Sequence, residues 1–164
     1  MLFVTKYLTS LYLLLFLITG ISLTWFYHIW KSKPYDRETC AISSVVFQGD
    51  KRADISIVFT YELKLKTGVV SISGTYSRDN KVIGLIRRDV SYTWTENKDS
   101  FQFYSVKTAK IANNDTISDA ELSELVPDFY VYPQRKILYS ILDQGPRGYL
   151  FTIGKRPVFF CVKL

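Results

Sequence analysis

Between Lys6 and Lys31 the chain carries no Asp, Glu, Lys or Arg. The run Tyr7–Trp30 is rich in Leu, Ile and Phe, and its Tyr and Trp residues gather toward its two ends. As a helix rising about 1.5 Å per residue it spans roughly 36 Å, against about 30 Å of bilayer hydrocarbon. Tyr7 and Tyr12 at one end, and Trp25, Tyr27 and Trp30 at the other, sit where an aromatic belt would place them. The expectation is a transmembrane helix over 7–30, preceded by a short cytoplasmic tail at 1–6. A cleaved signal peptide is the competing reading, with Gly20-Ile21-Ser22 as a small-x-small site. Against it, the apolar run continues well past that site.

Residues 31–39, Lys-Ser-Lys-Pro-Tyr-Asp-Arg-Glu-Thr, read as a polar linker broken by Pro34. It is short enough to hold the remainder of the chain near the lipid bilayer. Residues 40–164 are then one domain of ordinary size. Aromatics make up 16% of the chain, which argues for a packed core rather than disorder. Of 21 basic residues only Lys6 precedes the run, and all 15 acidic residues follow it, leaving the domain at 20 − 15 = +5. Basic and acidic residues are interspersed along the chain, as in Arg87-Arg88-Asp89, so the pattern argues against direct nucleic-acid binding.

The two cysteines, Cys40 and Cys161, stand at the two ends of the domain. With no C-x-x-C and His28 the only histidine, they make a poor metal site. A disulfide between the first and last strands is expected, and two buried thiols are the alternative. Closing a loop of about 120 residues contributes roughly 4–5 kcal/mol in the chain-entropy model. Such a bond places the domain in an oxidising compartment. Lys31, Lys33 and Arg37 on the C-terminal flank argue weakly for the opposite orientation. The cysteine argument is given the greater weight.

After Cys40 the pattern has period two. Ile55, Ile57, Phe59, Tyr61, Leu63 and Leu65 alternate with more polar residues, predicting a strand over 55–66 and a turn at Lys66-Thr67-Gly68. Val70, Ile72, Gly74 and Tyr76 form the apolar face of the next strand. Arg78-Asp79-Asn80-Lys81 is hairpin chemistry. Ile86, Val90, Tyr92 and Trp94 alternate with Arg87, Asp89, Ser91 and Thr93, and 101–111 is a fifth strand. Ser118 and Glu121 then form a capping box, with Ile117 and Leu122 as a staple, predicting a short helix that ends before Pro127. Strands over 136–142, 149–153 and 157–163 complete about eight. The expected fold is mainly β: a closed or strongly curled antiparallel sheet with one short helix. Strands such as 158–162, apolar on both faces, leave one face for a partner.

Catalytic motifs are absent: no Cys/His pair, no G-x-S-x-G, no paired-carboxylate motif and no phosphate-binding loop. The expectation is a protein that is not an enzyme and that uses no metal and no cofactor. The acidic residues Asp115, Asp119, Glu121, Glu124 and Asp128 around the helix are read as dipole matching rather than a calcium site. Asn114-Asp115-Thr116 fits a glycosylation sequon. Phe59, Tyr61, Tyr76, Tyr92, Trp94, Phe101, Phe103, Phe151 and Phe159 are the candidates to line an interior that would admit a small hydrophobic ligand. Ordinary core packing is the alternative for each.

Several stretches resemble the FidL-like family of small enterobacterial inner-membrane proteins. They are Cys40-Ala41, Val70-Ser71-Ile72-Ser73-Gly74, Arg88-Asp89-Val90-Ser91-Tyr92, Ser118-Asp119, Gly148-Tyr149-Leu150-Phe151 and Arg156-Pro157-Val158-Phe159-Phe160-Cys161. The architecture is also similar to the ToxS and VtrC type of companion protein, although ToxS lacks the matching cysteine pair. The resemblance implies a periplasmic, lipocalin-like domain. That domain would pair with a membrane-bound winged-helix transcription activator, stabilise it and help sense acid, temperature or bile in the control of fimbrial or virulence genes. The alternatives are a barrel that binds a hydrophobic ligand and an assembly factor that acts on secreted fimbrial subunits. With a single histidine, an acid response would fall to carboxylates with raised pKa or to the partner rather than to His28.

Overall fold

The computed structural model describes the backbone of residues 2–31, 37–98, 100–111 and 114–164. Side chains of 2–11, 13 and 28–31 lie outside the described residues. The expected tail, both ends of the expected span, His28 and most of the linker fall there. The chain divides into two compact units, Met1–Asp36 and Arg37–Leu164.

The first unit holds one helix, α1 (Leu2–Lys31). Its described side chains run from Tyr12 to Tyr27 with Leu13 excepted, and they are exposed. The Thr19 hydroxyl donates to the carbonyl of Leu15 at 2.9 Å, Ser22 to that of Thr19 at 3.0 Å, and Thr24 to that of Gly20. The helix thus satisfies these polar groups itself. Among the described residues no helix is long and apolar enough to cross a membrane.

The second unit is a closed antiparallel barrel of eight strands in sequential order. They are β1 (Arg37–Gln48), β2 (Lys51–Glu62), β3 (Thr67–Arg78), β4 (Lys81–Asn97), β5 (Ser100–Lys110), β6 (Lys136–Asp143), β7 (Gly148–Ile153) and β8 (Arg156–Lys163). A short helix, α2 (Asp119–Ser123), lies between β5 and β6. Alternation decides which residues face inward. Ala53, Ile55, Ile57 and Phe59 on β2 are buried, as are Ile86, Val90, Tyr92 and Trp94 on β4. The partners on their opposite faces meet solvent or the neighbouring side chains.

Two details differ from the sequence reading. β2 ends at Glu62 rather than at residue 66, because Tyr61 pairs with Gly68 and Glu62 with Thr67. Leu63 and Leu65 therefore leave the ladder for a turn closed by Lys66 at φ 51°. β1 starts at Arg37, three residues before Cys40. The β3–β4 hairpin turns on Asp79 and Asn80, both at positive φ, as its composition implies.

Two seams of the barrel are sparsely paired along their strands. β1 and β8 share only the pairs Cys40–Lys163 and Ala41–Val162. There the Cys40–Cys161 disulfide, with Cα atoms 5.4 Å apart, ties the first strand to the last. β5 pairs with β6 only from Phe101 to Tyr104. Beyond that, the segment 117–135 covers the gap. It buries Ile117, Leu122, Leu125, Val126, Phe129, Tyr130 and Val131 in the core. Ser118 caps α2, accepting the Glu121 amide at 3.3 Å. Ion pairs from Arg78 to Glu121 and from Lys51 to Glu124 fasten the helix over one barrel end.

Candidate functional site

The segment before α2 is anchored from inside the barrel wall. Arg88 occupies an inward position of β4 and is wholly buried. Its guanidinium donates to both carboxylate oxygens of Asp115, at 2.9 and 3.0 Å, and to Asp119 at 3.0 Å. The Asp115 side chain is also fully buried. Thr116 accepts the Leu85 amide at 2.9 Å, so two members of the apparent sequon are used to fix this segment. Burial alone would raise the Asp119 carboxyl. Hydrogen bonds from Lys110 and Arg88 outweigh it and hold the group below its ordinary value. Glu121 is also lowered, chiefly by its bond from the Ser118 hydroxyl. Both shifts run opposite to the raised carboxylate expected of an acid sensor.

This anchoring closes one end of the barrel. The other end holds a partly open cavity of about 190 Å³. Its wall is mostly aromatic: Phe59, Tyr61, Tyr92, Trp94, Phe101, Phe103, Tyr149 and Phe151, with Leu63, Ile141 and Glu38. The floor is the stacked pair Phe59 and Phe151, 5.3 Å between ring centroids. Tyr92 leans edge-on toward Phe59 at 6.3 Å. Gly68 makes room for Tyr92: a Cβ there would come within 2.5 Å of the phenol ring and 2.6 Å of the Thr60 carbonyl.

Of the residues the sequence singles out, the cavity brings together Phe59, Tyr61, Tyr92, Trp94, Phe101, Phe103 and Phe151. Tyr76 lies elsewhere, bonded to Arg78 at 3.2 Å near α2. Phe159, half-buried, stacks on Phe151 at 4.7 Å against the packed core. The sequence reading missed Glu38, Leu63, Ile141 and Tyr149. Tyr149 had a signal available, since it opens an expected strand; Glu38 did not, because β1 starts inside the expected linker.

The polar groups of the cavity gather at its mouth. Tyr61 donates its hydroxyl to Glu38 at 2.8 Å, and Tyr149 donates to the same carboxylate oxygen. Burial pushes both phenols upward, helped at Tyr61 by the Tyr149 hydroxyl and then Glu38, and at Tyr149 by Glu38, so they stay protonated donors across the physiological range. Lys163 stands over the Tyr149 ring at 4.3 Å, and Lys66 over the Trp94 ring at 5.6 Å. Among the described residues no group of three or more His, Cys, Asp or Glu side chains is placed to hold a metal ion.

A disulfide-tied eight-stranded barrel, plugged at one end and hollowed by an aromatic cavity at the other, is the class of protein these features define. The chain belongs to the YqeJ C-terminal domain family, whose model matches residues 37–161. It is 37% identical over 157 residues to a protein of Escherichia coli K12 named uncharacterized protein YqeJ, covering 96% of this chain and 98% of that protein. No solved structure matches the chain. The family match runs over the barrel and gives no link to the FidL-like or ToxS and VtrC proteins, whose likeness rested on scattered strand residues.

Proposed function

We propose that the barrel is a binding module for a small apolar molecule, carried on a membrane anchor in the periplasm. The observation that carries this reading is the cavity. Packed interiors leave few voids larger than a water molecule, and an apolar cavity of about 150 Å³ suffices to hold benzene. Here about 190 Å³ lies against rings, at the one barrel end that the 117–135 segment leaves uncovered. An apolar pocket with a few polar groups at its rim is what small-molecule binding requires. The ring-lined wall offers dispersion contacts on every side, while Glu38 and the two phenols fix the mouth.

The anchor rests on the uncharged run 7–30, which falls wholly within the helical backbone of α1. The periplasmic side rests on the disulfide. Ligand binding is tested by thermal unfolding of the full chain with and without indane. Saturating indane should raise the midpoint by mass action. The rise should vanish in Ile141→Trp, which fills the cavity. An unchanged midpoint in the native chain would contradict the reading. The anchor is tested by alkaline extraction of membranes: the chain should stay in the pellet, and release into the supernatant would count against it.

A second reading is favoured by the outer face of β6–β8. Leu142 pairs with Leu150 and Leu150 with Phe160, forming an apolar row across three strands. Leu138, Val158 and Val162 are exposed beside it. A patch of this kind suits a protein partner. In the companion-protein reading that partner is a membrane-bound transcription activator, and the barrel stabilises it while relaying ligand occupancy. Co-purification of the full chain with such an activator, lost in Leu142→Asp/Phe160→Asp, is the expected outcome. An activator with normal level and activity in cells lacking this chain would exclude that role.

A further inference from the structure

One carboxylate stands in the wall of the aromatic cavity. Of the residues that line it, Glu38 is the one charged side chain; the others are aromatic or aliphatic. It is half-buried. The phenols of Tyr61 and Tyr149, which meet edge to face at 6.3 Å between ring centroids, both donate to its Oε2. Among the described residues its Oε1 takes no hydrogen bond and no ion pair, and it is not sealed from solvent. Two phenols need only an acceptor, which the oxygen of an uncharged amide supplies as well. The negative charge is therefore surplus to the packing of the rim, and partly buried charges ordinarily have a partner. The cations around the mouth are engaged elsewhere. Arg37 pairs with Glu62 at 2.8 Å, and Lys163 with Asp143 at 3.3 Å and the Gly145 carbonyl at 3.0 Å. Lys66 is exposed beside Trp94, where water and salt screen it.

We infer that the cavity takes an organic cation: its apolar ring body packs among the aromatic side chains, and its positively charged amine stays at the mouth against Glu38. The inference rests on the ligand-binding reading and narrows its chemical class. The body follows from the wall and from the volume of about 190 Å³, near that of a cavity holding one ring. The charge follows from Glu38, which attracts a cation and repels an anion. Its place at the mouth follows from desolvation. An ammonium drawn down to the stacked Phe59 and Phe151 loses its water and gains no carboxylate, whereas at the rim it keeps water and gains Glu38. The rings add to the attraction, because a cation is drawn to the negative face of an aromatic ring. The rim already uses that contact, with the Lys163 ammonium 4.3 Å from the centre of the Tyr149 ring.

The test follows the labelled Ile141 methyl groups of the full chain at neutral pH. Four probes share one carbon frame: indane, and its amine, alcohol and carboxylate substituted at the same ring carbon. The amine is a cation, the alcohol is neutral and the carboxylate is an anion. Aminoindane should half-saturate the Ile141 shift at about one-tenth the concentration of indane, equivalent to roughly 1.4 kcal/mol. Indanol should resemble indane, and the carboxylate should need more than either. In Glu38→Gln, which keeps an acceptor for both phenols, the advantage of the amine should be lost. If the amine needs at least as much as any other probe, or Glu38→Gln keeps its advantage, the cation inference falls while the cavity reading stands. The ranking in the native chain decides this even where the variant does not fold. If no probe shifts Ile141, both fall.

Discussion

At the scale of single residues, two positions govern the molecule, Arg88 and Gly68. Arg88 sits where alternation places an apolar residue, and it is held by Asp115 and Asp119. Removing one partner of a buried pair leaves an uncompensated charge, so Asp115→Ala should lower stability by about 3–5 kcal/mol. Replacing both, as Arg88→Met with Asp115→Leu, should restore most of it. Urea unfolding of the two variants checks this, and equal loss in both would show that packing rather than charge is at stake. Gly68 is the other. Gly68→Ala drives a methyl into Tyr92 and the Thr60 carbonyl, and should cost about 1–3 kcal/mol and abolish indane binding together. The residue scale is also where the sequence was least informative. Ile86, Val90, Tyr92 and Trp94 announce an inward face, and Arg88 lies on it by count. The mixed charges of Arg87-Arg88-Asp89 read as a solvated surface, because the partner, Asp115, lies 27 positions away in a loop. Aromatic identity gave most of the cavity wall. It also drew in Tyr76 and Phe159, since period two fixes the side of a strand and says nothing of depth along the barrel.

At the scale of elements, α2 is a plug whose position is set by its cap and its ion pairs. The capping residues were legible because a capping box is local. Ser118→Ala should cost about 1 kcal/mol and loosen the closed end, read as faster amide exchange at Leu122. Unchanged exchange there would mean that Leu122, Phe129 and Tyr130 hold the plug unaided. The carboxylates of this element give a pH dependence. Asp119 and Glu121 are lowered in the folded chain, so their stabilisation is complete above their ordinary values of 3.8 and 4.5. It is lost as pH falls through the lower folded values. Stability should therefore hold at pH 5–6 and fall below about pH 4. Loss of the fold already at pH 6 would point to other titrating groups. The end of β2 was misplaced because the apolar alternation continues through Leu63 and Leu65. Pairing with β3 decided the boundary, and pairing is not local.

At the scale of the whole molecule, the eight strands, their order and the position of the helix follow from alternation and turn residues. Closure does not, since a curled sheet and a barrel share those patterns. The two-pair β1–β8 seam explains why the disulfide matters. Cys161→Ser in the full chain should lower unfolding stability by about 2–5 kcal/mol and reduce its level in the cell. An unchanged midpoint would mean that the seam holds without the bond. The ligand-binding reading stands or falls with the cavity at the uncovered barrel end, and side-chain resonances of the full chain, followed as indane is added, probe that cavity without an intermediary. Saturable shifts are expected at Ile141, Trp94 and Tyr61, and none at Tyr76 beside the plug. Linear, unsaturable shifts spread equally over both ends would contradict it.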